Sequence, residues 1–179
     1  IAQRVYKIVA DITGNGDPCY EAKQQANRSA LSLYPRLKEI VVNSEDPLLM
    51  ACKLAIAGNS IDLGPQSSHD DINSIIESAS VSPLGINDYE NFKNSIKNSS
   101  HILYLGDNAG EIVFDRVLIE ELHQVEDLEI SFVVREKPII NDATLDDAIS
   151  TGMDQVARII SSGSDAPATI LTQCSPQVL

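Results

Sequence analysis

The spacing of apolar residues changes near residue 99, and this change constrains the fold more than any other feature of the sequence. Before it, apolar residues recur at helical intervals, as in the segment from Ala26 to Ile40. After it, short apolar runs of strand-forming residues alternate with helical segments. The sequence therefore predicts a helical portion, residues 1–99, and an α/β portion that carries the site, residues 100–179. We expect the two portions to form one continuous domain.

Several residues of the helical portion should mark where helices begin, bend or end. Pro35 should kink or divide the second helix, because its ring clashes with the carbonyl four residues earlier and it has no N–H to donate. Ser44 or Asp46 is expected to cap the third helix, with Pro47 in its first turn. Gly58 is expected to end that helix.

Three candidate strands, residues 101–106, 129–136 and 155–163, alternate with two predicted helices. The second of these helices is short and should be closed by Gly152. A strand–helix–strand–helix–strand order predicts a parallel sheet with right-handed crossovers. The predicted fold class is therefore α/β, a three-layer α/β/α arrangement with a mostly parallel sheet in the C-terminal half and an N-terminal helical portion.

Charge and composition exclude several classes of partner. The sequence has 13 Lys plus Arg against 26 Asp plus Glu, a formal net charge of −13, which would repel a nucleic-acid backbone. No apolar stretch approaches the roughly 20 residues that span a bilayer, so no membrane partner is expected. The three cysteines lie far apart without CxxC spacing, which indicates neither a disulfide framework nor a zinc site and favours a cytoplasmic location.

Each candidate strand is followed by a polar loop. The loops contain GDNAGE (106–111), NDAT (141–144) and SSGSD (161–165). Ligands of open parallel sheets bind at the carboxyl ends of the strands, because loops and helix N-termini converge there. Each loop alone is equally typical of a turn or a helix cap. The prediction of one site therefore rests on their coincidence at the strand ends.

The first two loops carry residues suited to a metal ion and a phosphate. Asp107 and Asn108 offer one carboxylate and one amide oxygen, hard ligands that suit Mg²⁺ or Mn²⁺, and Asp142 is a candidate third ligand. A helix starting at Gly110 would direct backbone N–H groups at a bound phosphate. Glu111 could support the ligands, or could simply be a favourable acid in a first helical turn. A metal with an anion cradle indicates phosphate-ester chemistry.

Five stretches together resemble the damage-control phosphatases, a metal-dependent family formerly catalogued as DUF89. They are ITGNGDPCYEAKQQANRSAL, KLAIAGNSIDLG, ILYLGDNAGEIVFDRVLIEEL, KPIINDATLDDAISTGMD and SSGSDAPAT. They stand in the family's order over nearly the whole chain and look most like its short prokaryotic and archaeal branch. The resemblance implies an α/β fold with an N-terminal helical portion, a divalent metal (Mg, Mn, Co or Ni), and hydrolysis of small phosphate esters.

The resemblance also implies roles for individual residues. By the family pattern Asp107, Asn108 and Asp142 match the metal ligands, and Asp107 and Asp142 are the candidate catalytic residues. The candidate substrate-binding residues are Gly110, Glu111, Arg135, Asn141 and Asn59. Arg135 could pair with a phosphate or form a surface ion pair. Asn59 lies with Asp62 in a stretch near the family's pocket, although it equally fits a helix C-cap.

Two parts of the family pattern have no counterpart in this sequence. The family's later lysine- and glycine-rich segment, whose lysine contacts the substrate phosphate, would follow Leu179, and an N-terminal segment containing cysteine is also missing. Because these two segments are missing, we expect the chain to be a fragment of a longer protein.

Two other residues in shared stretches, Asp17 and Lys23, match the family pocket less closely.

The leading functional prediction is a metal-dependent phosphatase whose partner is a small phosphorylated metabolite, such as a sugar phosphate or a damaged phosphometabolite. Direct attack by water and attack by an aspartate nucleophile both remain open. One alternative is an S-adenosylmethionine-dependent methyltransferase, because the loop after the first strand resembles a nucleoside-cradling glycine loop and Glu136 could be its acidic partner. Another alternative is a phosphometabolite-binding module without turnover.

Overall fold

The computed structural model describes residues 2–60 and 69–179 and shows a mixed α/β fold. The helices described before the first strand are α1 (Ala2–Thr13), α2 (Tyr20–Val42), α3 (Pro47–Ser60), α4 (His69–Val81) and α5 (Tyr89–Lys97). The elements that follow are β1 (His101–Leu105), α6 (Glu111–Val125), β2 (Glu129–Val134), α7 (Leu145–Ser150) and β3 (Arg158–Ser161). Within the described ranges, no helix combines the length and hydrophobicity that crossing a membrane requires.

The three strands form a parallel sheet in the order β1, β2, β3. Leu105 pairs with Val133, and Val133 pairs with Ile160, which fixes the register across the sheet. The carboxyl ends of the strands therefore lie along one edge. The predicted α/β class, with a parallel sheet following N-terminal helices, is confirmed.

The helix α6 forms the centre of the core. It is apolar on most sides, and Ile112, Phe114 and Val117 are fully buried, as expected for a helix that is hydrophobic all round. It packs against α2, α3 and α5. Side chains of β2, including Phe132, belong to the same apolar cluster. The start of α6, which follows the first polar loop, is thereby held rigidly between the helices and the sheet.

The opposite face of the sheet is less well covered. Val133 and Ile160 pack there against Val178, near the end of the chain. Leu103 and Leu105 of β1 are each 47% exposed. Leu105 pairs with Val133, so these residues share a face. The described segment over this face is mostly irregular.

Two predictions about helix interiors need correction. α2 runs from Tyr20 to Val42 as one helix with Pro35 inside it, so Pro35 does not divide it, and a kink at Pro35 stays a prediction. Gly58 does not end α3, which runs from Pro47 to Ser60. A Cβ at position 58 would lie 2.9 Å from Phe114 Cβ, so the glycine allows α3 to approach α6 closely. The predicted cap is confirmed, since the Asp46 carboxylate accepts a hydrogen bond from the Leu49 N–H at 3.1 Å.

Candidate functional site

The first polar loop leaves the sheet through a glycine that has no space for a side chain. A Cβ on Gly106 would lie 2.4 Å from Phe132 Cζ, and the Gly106 N–H donates to the Val133 carbonyl at 3.0 Å. The chain re-enters a helix at Glu111, after Gly110 has adopted φ +84°, a conformation that favours glycine. Between these two glycines the loop presents Asp107 and Asn108 at the sheet edge.

The first and second loops are joined by their main chains. The Ala109 N–H donates to the Asn141 carbonyl at 2.9 Å, and the Ala143 N–H donates to the Asp107 carbonyl at 2.7 Å. Asn108 and Asp142 therefore face each other in an isolated antiparallel bridge. The structure brings the three residues predicted as ligands onto adjacent, hydrogen-bonded segments.

The guanidinium group of Arg135 links the two aspartates. Its Nε donates to Asp142 Oδ2 at 2.7 Å, and its Nη2 lies 3.5 Å from Asp107 Oδ1. The Arg135 side chain is only 5% exposed, so it forms a buried ion pair rather than a surface one. The Asp142 side chain is equally buried, whereas that of Asp107 is 47% exposed. Asp107 is therefore the more accessible of the two carboxylates.

Burial is the largest influence on the pKa of Asp142. Burial raises the pKa of Asp142 above its usual value, and the charge of Asp107 acts in the same direction. The hydrogen bond and positive charge of Arg135 lower the pKa, but they do not cancel the effect of burial. Arg135 thus compensates part of the cost of placing two carboxylates side by side.

Glu111 is held in place by two amides. Asn108 Nδ2 donates to Glu111 Oε2 at 3.0 Å and also lies 3.3 Å from Asp107 Oδ2, while Asn59 Nδ2 donates to Glu111 Oε1 at 3.0 Å. Asn59 lies inside α3 rather than at a C-cap. The pair of contacts connects α3 to the first loop and orients the Asn108 amide beside Asp107.

Two other predicted substrate-binding residues use their main chains internally. The Gly110 N–H donates to Asn27 Oδ1 at 2.7 Å, so in this structure it does not point at an anion. The Asn141 carbonyl accepts from Ala109, and its side chain is exposed. Direct contact of Gly110 or Asn141 with substrate stays a prediction.

The third loop lies beside the second but makes different contacts. The Glu136 N–H donates to the Ser164 carbonyl at 3.1 Å, which places the third loop next to the second. Asp165 accepts a hydrogen bond at 2.6 Å from the Nε2 of Gln3, which belongs to α1. Asp62, which the sequence places in a stretch near the family's pocket, lies outside the described residues.

A buried acid one helical turn after Glu111 was not predicted. Tyr104 Oη donates to Asp115 Oδ1 at 2.6 Å, and Asp115 is buried within the core side of α6. Burial raises the pKa of Asp115 to about 8, the hydrogen bond from Tyr104 opposes this, and the charges of Glu111 and Asp107 add to it. The sequence signal was an acid inside the apolar run EIVFDRVL.

A cavity of about 820 Å³ opens beside these residues. Asn59 and Glu111 line it together with Tyr104 and Asp115, and its other walls are largely apolar. Cys52 also lines it, and burial raises the pKa of this thiol to about 11, so it is a protonated wall residue at neutral pH. The cavity thus lies between α3, α5 and α6 and reaches Glu111, which contacts Asn108.

Behind the first two loops lies a second buried polar cluster, formed by Lys23, Asn27 and Asp147. Lys23 Nζ lies 2.8 Å from Asp17 Oδ2 and 3.3 Å from Asp147 Oδ2. Burial lowers the pKa of Lys23, but its contacts with Asp17 and Asp147 outweigh burial and hold the pKa above its usual value. Asn27 was missed, although it interrupts the apolar face of α2 one turn after Lys23.

The donor set fits a hard divalent cation. Asp107 and Asp142 supply carboxylate oxygens, and Asn108, paired with Asp142 in the isolated bridge, supplies an amide oxygen; these are the ligand types that Mg²⁺ and Mn²⁺ prefer. Among residues 2–60 and 69–179, no group of three or more His, Cys, Asp and Glu side chains is arranged to hold a metal ion. The fit therefore depends on Asn108 as a ligand beside Asp107 and Asp142.

Comparison with known families identifies one match over the whole chain. The model described as "Damage-control phosphatase ARMT1-like domain" matches residues 1–179. A solved structure also matches: the crystal structure of a DUF89 family protein from Pyrococcus horikoshii superimposes with a TM-score of 0.87 and 30% sequence identity. The match covers 97% of this chain and 60% of that one.

Three archaeal proteins are similar in sequence. An uncharacterized protein of Methanocaldococcus jannaschii is 40% identical over 180 residues, covering 98% of this chain and 59% of its own length. A damage-control phosphatase of Archaeoglobus fulgidus is 35% identical over 177 residues (97% and 60%). A damage-control phosphatase of Pyrococcus horikoshii is 34% identical over 152 residues (84% and 52%). The chain thus spans between half and two thirds of the length of these relatives.

Proposed function

The chain belongs to the damage-control phosphatase ARMT1-like family, and we propose that the intact protein is a metal-dependent phosphatase of small phosphorylated metabolites. One observation carries the proposal. Asp107, Asn108 and Asp142 lie together at the carboxyl ends of β1 and β2, joined by main-chain hydrogen bonds and by Arg135. That edge of a parallel sheet is where such folds bind ligands. Two relatives that carry the name damage-control phosphatase support the reaction class.

In the proposed site, Asp107, Asn108 and Asp142 would hold Mg²⁺, Mn²⁺, Co²⁺ or Ni²⁺. A cation bound there would neutralise negative charge that develops on the phosphate oxygens during hydrolysis. Arg135 keeps Asp142 oriented through its bond at 2.7 Å and reduces the repulsion that two carboxylates exert on an incoming phosphate. Asp107 is the more exposed of the two acids, so it is the one positioned to meet a substrate or a water molecule.

The adjoining cavity supports a particular class of leaving group. Its described lining includes the acids Asp88 and Glu111 but no lysine or arginine. A second phosphate or carboxylate on the substrate would find no positive partner there and would be repelled. Hydroxyl groups, by contrast, can donate to Glu111 and accept from the amide of Asn59. We therefore propose sugar phosphates or similar hydroxyl-bearing phosphate esters as substrates.

The methyltransferase alternative is set aside, because the family model that covers the whole chain describes a phosphatase domain. The glycine loop that suggested a methyltransferase also makes an internal hydrogen bond, since the Gly110 N–H donates to Asn27 Oδ1. A binding module without turnover stays as an alternative outcome of the experiment below. A cytoplasmic location stays a prediction.

The test is phosphate release by the intact protein from a panel of sugar phosphates, with each of the four cations and with a chelator. We expect release that requires a cation and that falls by on the order of 100-fold in Asp107→Ala and Asp142→Ala, the size of loss typical for a group that stabilises transition-state charge. Asp154→Ala, which removes an exposed acid in the short 3₁₀ segment Met153–Gln155, is the matched control and should keep full activity.

Release that persists in the chelator, or in both aspartate variants, would contradict the proposal. Cation-dependent binding of a sugar phosphate without any release would identify the binding module instead.

A further inference from the structure

We infer that Asn27 is a positioning residue that, together with Asp147, sets the spacing of the two loops that carry the proposed metal ligands. Neither residue belongs to the proposed ligand set. Asn27 comes from α2 in the helical portion and Asp147 from α7, so the N-terminal helices take a direct part in building the site. It rests on the proposed function, because it concerns the affinity of that site for a cation.

The first contact is between Asn27 and the loop after β1. Asn27 is 2% exposed, and its Oδ1 accepts the Gly110 N–H at 2.7 Å. Gly110 is two residues after Asn108 and has the positive φ that turns the chain into α6. A buried backbone N–H without a partner is costly, so this bond fixes where the end of the loop can lie.

The second contact is between Asn27 and Asp147. Asn27 Nδ2 donates to Asp147 Oδ1 at 2.9 Å, and Asp147 is 1% exposed. The other oxygen of Asp147 accepts from the Thr144 N–H at 3.0 Å and from Thr144 Oγ1 at 2.8 Å. Thr144 is two residues after Asp142 and is the N-cap of α7. One amide and one carboxylate thus connect the residues that directly follow both ligand segments.

The charge of the pair is compensated away from the ligands. Lys23, one turn before Asn27 on α2, lies 3.3 Å from Asp147 and 2.8 Å from Asp17, and it is 2% exposed. The cation beside Asp147 is therefore Lys23, whereas Arg135 contacts the ligand segments. Each end of the Asn27 amide has a single suitable partner, an N–H for the oxygen and a carboxylate for the nitrogen, so Asn27 fixes both loops at once.

This hydrogen-bond pattern predicts a specific rescue. In Asn27→Asp the new carboxylate still accepts from Gly110 but faces the Asp147 carboxylate, which repels it. In Asp147→Asn the side chain has only one oxygen. That oxygen can accept either from Asn27 or from Thr144 and Lys23, but not from both sides. The double variant Asn27→Asp/Asp147→Asn restores a matched donor and acceptor at every contact. Its net charge equals that of the wild type, because one substitution adds a negative charge and the other removes one.

The test measures Mn²⁺ affinity of the intact protein by electron paramagnetic resonance of free Mn²⁺, with thermal stability recorded in the absence of metal. We expect each single variant to weaken Mn²⁺ binding by on the order of tenfold and the double variant to recover most of it, as coupled contacting residues do. Leu37→Ala is the control, since Leu37 is fully buried in the same helix and should lose stability without losing Mn²⁺ affinity.

Two results would overturn the inference. One is Mn²⁺ affinity in Asn27→Asp that stays at the wild-type level while stability falls as it does in Leu37→Ala. The other is a double variant whose affinity is no better than that of the single variants. Failure of the proposed function itself is recognised separately, because the wild type would then either not bind Mn²⁺ or bind it equally well after Asp107→Ala.

Discussion

Replacing Asp115 with asparagine should remove a pH dependence from the stability of the protein. Asp115 is buried in α6 and accepts a hydrogen bond from Tyr104 Oη at 2.6 Å, and burial raises its pKa from 3.8 to about 8. At pH 6 the native state therefore holds a proton on Asp115, whereas the unfolded chain does not. Asparagine has nearly the same shape as the protonated acid and cannot ionise.

The sign and size follow from proton linkage. Where the native state binds one proton more than the unfolded state, the free energy of unfolding falls by about 1.4 kcal/mol for each unit of rising pH. The window runs from the usual pKa of an aspartate, near 3.8, to the raised pKa of Asp115, near 8. Between pH 5 and pH 7 the wild type should therefore lose about 2.5 kcal/mol relative to Asp115→Asn. Above pH 8 the difference should level off.

Urea unfolding followed by circular dichroism at pH 5, 6 and 7 measures this difference. Asp46→Asn is the matched control, because Asp46 also accepts a bond from a tyrosine, Tyr89 Oη at 2.7 Å, but pairs with Lys93 at 3.2 Å. Burial raises the pKa of Asp46, but the bonds from Tyr89, the Leu49 N–H and Lys93 outweigh it and hold the pKa below its usual value.

Asp46 is therefore ionised in both states between pH 5 and 7, and its contribution is lost only as the pH falls below that range. The difference between wild type and Asp46→Asn should stay constant across the window. A constant difference between wild type and Asp115→Asn would refute the reasoning, because it would mean that Asp115 is ionised in the native protein.

Three further perturbations have defined outcomes. Gly58→Ala should lower the free energy of unfolding by about 1–3 kcal/mol, since its Cβ would lie 2.9 Å from Phe114 in a packed core; an unchanged urea midpoint would contradict this contact. Thr144→Ala should cost about 1 kcal/mol, because the hydroxyl bond to Asp147 at the start of α7 is lost; thermal denaturation measures it, and Thr144→Ser should recover most of the loss. Arg135→Gln should lower the melting temperature more without metal than with saturating Mn²⁺, because a bound cation would replace the lost positive charge beside Asp107 and Asp142. Scanning fluorimetry measures both melting temperatures. An equal decrease with and without Mn²⁺ would show that Arg135 and the cation do not share the carboxylates.

Local sequence patterns were sufficient to predict the sheet edge and the loops on it. The strands β1, β2 and β3 are short apolar runs, and the polar residues that follow them can be recognised from sequence alone. A parallel sheet then places their carboxyl ends on one edge, which is why Asp107 and Asp142 could be expected together before any contact was known. The family resemblance added the prediction of roles, not the geometry.

Contacts between distant segments were not predicted. Asn27 and Asp147 are 120 residues apart in sequence, and nothing local to either residue identifies the other as its partner. The role of Gly58 likewise depends on Phe114, which approaches it from α6. For Asp115, the apolar run around it indicated burial, but the partner Tyr104 on β1 determines how that burial is satisfied. Such packing follows from the tertiary structure and not from local periodicity.

The most direct test of the proposed site is to locate the cation. Crystals of the intact protein grown with Mn²⁺ would be measured at a wavelength where manganese scatters anomalously. We expect one anomalous peak per chain within coordination distance of oxygens from Asp107, Asn108 and Asp142, and its loss in Asp107→Ala crystals. A peak at another site, or a peak that persists unchanged in Asp107→Ala, would contradict it.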